Sequence, residues 1–329
     1  MHNLWSISVN RPGNNVYRIF SNRWLANGPF CGLLCALLLP AAATAQAPKS
    51  IDDSYWICSY DFKTAVAKRL FAVPELHSAS SVSYSPDQDR VLFDGSVPGR
   101  HSTSSSHIFV CKPDGSEMQD LGPGRMPSWS PRGHRIAFSR YSPEHGVWLM
   151  NADGSDDRLL DNQGWSAKWS PNGHTIAYVR ELNGLRDIVL FNLVEDEITA
   201  LFGEHRSEYQ PFESMFAWSP DSQHLCMVSL AQDDATLTTV SLDNPPKVKA
   251  LMSDESLSME FAWMDESHIL TPQYSSKTNQ VELHRLNVSD SGQPVLEMLP
   301  GLFVDRLNTD YSVSRSGDTM LFISSRPKN

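Results

Sequence analysis

Cysteine is scarce: five in 329 residues, with Cys31 and Cys35 near the start and Cys58, Cys111 and Cys226 in the remainder. Three thiols can form at most one disulfide, so no framework of bridges holds the fold, and the residues read as small buried hydrophobes. The apolar run Phe30 to Leu39 is short for a helix that spans a bilayer. A Gly-x-Ser-x-Gly elbow occurs nowhere, which removes support for serine-hydrolase chemistry of that kind. Basic residues are outnumbered, 27 Lys and Arg against 38 Asp and Glu, for a formal charge of −11. The first 47 residues hold Arg11, Arg18 and Arg23 and no acid, so the rest of the chain stands at −14. Non-specific nucleic-acid binding is disfavoured at that charge.

What the acid-free start does contain is the pattern of an export leader. Three arginines precede the apolar run, and Ala43-Thr44-Ala45 or Ala45-Gln46-Ala47 offers small residues for cleavage. Residues 1–47 are expected to be a signal peptide, with retention as an anchor as the alternative. Cys35 follows Leu33-Leu34 rather than the small residues a lipoprotein box requires, so a lipid anchor is not expected. Residues 48–329 are then a single periplasmic or secreted domain with no stable membrane insertion. With 40% hydrophobic residues the chain can bury a sizeable core.

The body of the chain is repetitive. VSYSPDQDRVLF (from Val82), PSWSPRGHRIAF (from Pro127), AKWSPNGHTIAY (from Ala167), FAWSPDSQHLCM (from Phe216), FAWMDESHILTP (from Phe261) and YSVSRSGDTMLF (from Tyr311) each join two apolar segments through a Ser-Pro or Ser-Pro-like turn. The marker recurs at Ser85, Ser130, Ser170, Ser219, Met264 and Ser314, at intervals of 45, 40, 49, 45 and 50 residues. That is the period of four-stranded propeller blades. Each copy is followed by a second apolar pair, such as HIFVCKPDGSEMQDL from His107, whose Asp114-Gly115 and matching Asp153-Gly154 are hairpin signals. Strands apolar on both faces, such as Ile136-Ala137-Phe138, fit sheets buried between neighbours. Tyr84, Trp129, Trp169, Trp218 and Trp263 precede the marker, with Val313 in the sixth copy, and are expected to pack blade against blade.

The ends of the repeat set predict closure. The last copy supplies only a first and a second strand, whereas Tyr55-Trp56-Ile57-Cys58 and Lys68-Arg69-Leu70-Phe71 look like an unpartnered third and fourth. Joined, they make a sixth blade and leave no long open sheet edge. The fold class expected is all-β, a six-bladed β-propeller closed by its amino-terminal strands.

With the Trp-Ser-Pro turns at Trp129, Trp169 and Trp218 and the Asp-Gly hairpins, the chain resembles the TolB-type propellers built of WD40-like PD40 repeats, over about residues 52–326. The resemblance implies an interaction module. TolB carries an additional amino-terminal α/β domain that engages the Tol system, and only a few residues separate the expected cleavage site from the first strand here, so the resemblance covers the propeller alone and does not decide a place in that system. Similar repeats stand beside the hydrolase domain of prolyl oligopeptidase relatives. Oligogalacturonate lyase, another propeller of this kind, holds a metal with histidines, so the same resemblance implies an alternative: a carbohydrate-active lyase or hydrolase with a metal above the channel.

His134, His174, His224 and His268 follow the Ser-Pro-like turns, too far apart on a rim to share one ion, and are expected to be solvated. Asn151 to Asp157 alternates oxygen side chains but lacks the glycine and glutamate placement of a calcium loop, so a hairpin is expected. Connections from fourth to first strand and from second to third emerge together on the opposite face, and the long ones are all of this kind. They carry Arg100, His101, Arg140, Tyr141, His145, His205, Arg206, Glu208 and Tyr209, with Arg125, Trp165, Arg180, Arg186, Asp305 and Arg306 on the same face. Arg100, His101, Arg140, His145, Trp165, Arg180, His205, Arg206, Tyr209 and Arg306 are the binding candidates, for an envelope protein or an anionic glycan or peptide. No catalytic residue, metal ligand or cofactor is assigned. His101, His145 and His205, with His77, are the candidates the lyase alternative would need.

Overall fold

In the computed structural model, the residues described are 55–96, 106–141, 144–208, 211–231, 234–253, 257, 260–275, 280–288, 295–299 and 307–324. Among them, 24 strands pair as six four-stranded antiparallel sheets. Blade 1 spans 78–123, blade 2 125–161, blade 3 164–200, blade 4 212–253 and blade 5 262–298. Blade 6 joins Leu307–Val313 and Thr319–Ser324 to Tyr55–Asp61 and Val66–Val73. The ring is an all-β six-bladed propeller closed as the sequence predicts, with Tyr55–Asp61 antiparallel to Thr319–Ser324 through the pairs Trp56↔Ser324 to Asp61↔Thr319.

The core is divided into six apolar clusters, and each lies between consecutive blades. Leu92 and Ile108 of blade 1 meet Ile136, Phe138, Trp148 and Met150 of blade 2. On the other side of that sheet, Ala137, Val147 and Leu149 meet Ile176, Tyr178, Val189 and Phe191 of blade 3. Alternate side chains of one inner strand therefore serve two interfaces, which is why these strands are apolar throughout. Ile57, Phe71, Leu321 and Ile323 of blade 6 join Val82, Val91 and Phe93 of blade 1 in the same way and complete the circle. Cys58, Cys111 and Cys226 are free and buried, and burial pushes the Cys58 and Cys111 thiols up to about 12.

The marker serine has a local task. Ser85, Ser130, Ser170, Ser219 and Ser314 are buried, and each Oγ accepts the backbone N–H five residues on, at 2.9, 3.0, 3.0, 2.9 and 3.2 Å. This bond cinches the turn between first and second strands alongside the backbone bond from the serine N–H to the same residue's carbonyl, as from Ser85 N to Arg90 O at 2.9 Å. Blade 5, with Met264 at the marker, instead closes tightly through Asp265↔His268.

A bulge recurs in the first strands, between Ser80 and Ser83, Arg125 and Ser128, Trp165 and Lys168, Phe212 and Phe216, and Asn308 and Tyr311. Ser81, Met126 and Ser166 sit there at φ of 53°, 52° and 60°. Two of the bulged N–H groups are held by the preceding blade: Met126 N donates to Asp94 Oδ1 at 3.2 Å, and Ser166 N to Ser139 Oγ at 2.8 Å. A bulge leaves a backbone donor without its ladder partner, and here the neighbouring blade satisfies it. The segment after blade 3, expected as loop, forms a short 3₁₀ helix at Gly203–Glu208 and enters the next strand at Phe212. Asn151 to Asp157 is the expected hairpin, with Asn151 N donating to Ser155 O at 2.9 Å. Among the described residues no helix is long and apolar enough to cross a membrane.

Candidate functional site

On the face of the long connections, the first polar centre is Asp94, 1% exposed near the end of its strand. Its carboxylate accepts from Ser80 Oγ at 3.0 Å, Ser106 Oγ at 3.1 Å and Met126 N at 3.2 Å. Arg125 Nε stands 3.8 Å away, shielded from solvent and without a hydrogen-bond partner among the described residues, while the side chain as a whole is 36% exposed. Asp94 thus anchors a cation whose outer edge reaches water. Tyr141 lies in the same field: burial raises its phenol above the ordinary value, Arg125 opposes that shift and Asp94 adds to it. The Tyr141 ring meets His145 edge-on at 5.7 Å, and His145 Nδ1 lies 3.1 Å from Asn162 O. Because a carbonyl only accepts, Nδ1 carries the proton and Nε2 is left as an acceptor in the neutral ring. Blade 2 therefore presents Arg125, Tyr141 and His145 together over Asp94 of blade 1: a guanidinium, a phenol and an imidazole.

The remaining candidates are more deeply engaged. Arg140 lies over Trp148 at 4.1 Å, donates Nε to Pro123 O at 3.2 Å and pairs through Nη2 with Asp157 at 2.9 Å. Arg180 donates to Gln163 Oε1 at 2.8 Å and reaches Asp161 at 3.4 Å, the carboxylate that also accepts from Tyr178 Oη at 2.8 Å. Arg206 turns inward, 6% exposed, against Phe202 and Phe212 and donating to Arg186 O. Beside it Asp187, fully buried, accepts from Phe202 N at 3.1 Å and Gly203 N at 2.9 Å, and burial lifts its carboxyl above the usual range. Trp165 packs against the cluster between blades 3 and 4. His205 is part-exposed, 3.7 Å from Glu204, and His77 is exposed. Arg100, His101, Tyr209 and Arg306 lie outside the described residues. No group of three or more potential metal ligands occurs among the described residues.

A second candidate lies on the opposite face, where sequence reasoning placed only packing. Tyr84, Trp129, Trp169, Trp218 and Trp263 do pack between blades, and they also line a cavity of about 370 Å³ along the axis at the Ser-Pro turns. A broader recess of about 780 Å³ adjoins it over blades 4, 5 and 6, sharing Pro171, Trp218, Trp263, Val313 and Arg315. Trp218 Nε1 donates to Lys168 O at 3.1 Å in the neighbouring blade. Arg315, standing where other turns carry proline, sends Nη1 to Pro131 O at 2.9 Å. The recurring aromatic gave the belt away in the sequence, but only the ring shows that its inner rim bounds open space.

No model of a known protein family matches the sequence, and no curated protein matches it either. Among solved structures it is similar to a protein assigned as TolB in Agrobacterium tumefaciens, at 17% identity and a TM-score of 0.64, over 84% of this chain and 99% of that one. TolB from Acinetobacter baumannii is similar at 11% identity and 0.56, over 85% of this chain and 66% of that one. An oligogalacturonate lyase in complex with manganese is similar at 14% identity and 0.52, over 73% of each chain. At these identities the likeness shows the fold: a six-bladed β-propeller of the TolB kind.

Proposed function

We propose that the protein is an exported binding scaffold of the cell envelope, periplasmic or secreted, whose long-connection face receives a protein partner or an anionic glycan or peptide. The observation that carries this reading is the Arg125, Tyr141 and His145 group on blade 2, held from beneath by Asp94 of blade 1. A guanidinium anchored by Asp94, with its outer edge reaching water, is matched to a carboxylate, and a phenol and an imidazole at its side add direction. Arg140, Arg180 and Arg206 shape the surface through internal bonds and leave His145 and His205 as its more accessible candidates.

The test is titration of the purified protein with polygalacturonate oligomers and with acidic peptides, repeated on Arg125→Ala and His145→Ala. Loss of binding in both variants with unchanged melting supports the face as the site. Binding untouched by either variant rejects it. Amino-terminal sequencing of the mature protein checks export, the expected start lying just beyond residues 43–47. Stoichiometric divalent metal lost in His101→Ala, His145→Ala and His205→Ala, together with cleavage of the oligomers, would replace the scaffold by the lyase alternative.

A further inference from the structure

We propose that the 780 Å³ recess on the Ser-Pro-turn face binds a small aliphatic dication of the diamine or polyamine class. Its origin is the short turn of blade 5. There Trp263 pairs with Ile269 and Asp265 with His268, a turn one residue shorter than those between Trp218 and Leu225 in blade 4 and between Val313 and Met320 in blade 6. The turn that lacks the Ser-Pro step thus stops short of its neighbours, and the recess lies over it, walled by Trp218, Trp263, Met264 and Val313. Its volume is that of an ordinary small-molecule site.

The charge of the lining selects the ligand. Asp221, Asp265 and Glu266 face Arg315, so the formal balance is −2. Asp221 and Asp265 side chains are 42% and 58% exposed, with His224 at 4.0 Å and His268 at 2.9 Å as their neighbours. Arg315 is the chain's own cation at this mouth, and its guanidinium is bonded to the Pro131 carbonyl on the far side. Two positive charges joined by methylenes satisfy both parts of the site. The ammonium groups meet the carboxylates, and the stem lies along the indoles, which also attract cations through their ring faces. An anionic ligand would meet uncompensated like charge. The site lies on the opposite face from the scaffold surface and does not depend on it.

Calorimetric titration of the full chain with 1,4-diaminobutane, at about 150 mM salt so that the diffuse field of the acidic protein is screened, tests this. Saturable one-to-one binding is expected. Asp265→Asn combined with Glu266→Gln should weaken it at least about tenfold, and Glu266→Gln alone, at an exposed position, about threefold. Asp153→Asn combined with Asp156→Asn, on the blade 2 hairpin, should change it by less than about twofold, and Arg315→Ser should tighten it about tenfold. Absence of saturable uptake, equal losses from both acidic pairs, weakening in Arg315→Ser, or equally effective displacement by magnesium would overturn the proposal. If the double variant melts early, the single Glu266→Gln decides.

Discussion

Ile57 lies directly opposite Ile323 in the closing sheet, and both are fully buried in the cluster shared by blades 6 and 1. The two strands come from opposite ends of the propeller, so a few residues near the start hold the last blade in register. Their contact is what makes six separate interfaces one cooperative structure.

Removing Tyr55–Val73 takes away both outer strands of blade 6 and should abolish cooperative folding. Ile57→Ala should cost about 3 kcal/mol by leaving a cavity at that interface. Denaturant unfolding checks both; a truncated chain that still melts in one sharp transition would contradict the role given to the closure.

Asp94→Ala leaves Ser80 Oγ, Ser106 Oγ and the bulged Met126 N without their acceptor in a buried place. A loss of about 3 kcal/mol is expected. Asp94→Asn keeps an acceptor oxygen and should cost less. Equal stability of wild type and Asp94→Ala would show that the bulge is not held from blade 1.

Trp169 is partly buried between blades 2 and 3, and its backbone N–H donates to Ser128 Oγ at 3.1 Å. Trp169→Ala should lower stability by about 3 to 5 kcal/mol. Chemical denaturation reads this directly, and a loss below about 1 kcal/mol would make the ring a channel surface more than a wedge.

Asp87, Asp114 and Asp153 are held below the usual carboxylate value by the hydroxyls of Ser85, Ser116 and Ser155 and by backbone N–H groups. A depressed folded-state value means stability that is present above the unfolded value near 3.8 and lost as pH falls through the folded one. Asp187 has the opposite sign: its raised value means that charging it opposes folding, so its protonation relieves a cost. Melting temperature measured from neutral pH downward should therefore drop in the acid range, and the gap between wild type and Asp114→Asn should close there. A gap that stays constant with pH would exclude the hydrogen-bonded carboxylate as its source.

Much of this fold was legible because the repeat imposes local chemistry. Ser85 and its four equivalents must accept the same backbone N–H, and Ile136 and Ala137 must each face an apolar neighbour, so the residues recur at readable intervals. The site was less legible. Arg140, Arg180 and Arg206 look alike in sequence to Arg125, yet Arg140 and Arg180 are held by Asp157, Gln163 and Asp161, and Arg206 is packed on Phe202 and Phe212. Asp94 carries little signal in the sequence. Its only signal was an acid within the apolar strand Val91–Ser96, where its homologue in the next blade is Ser139.

Period, turn chemistry and two-sided apolar strands determined six blades and their closure from the sequence alone, because each follows from hydrogen bonding and burial within one repeat or its neighbour. Which polar side chains are exposed together was decided only by the tertiary structure. Arg125, Tyr141 and His145 come together through strand pairing and loop paths within blade 2, and Trp218, Asp265 and Arg315 line one recess through the ring's curvature and the length of particular turns; none of these is written in the residues themselves.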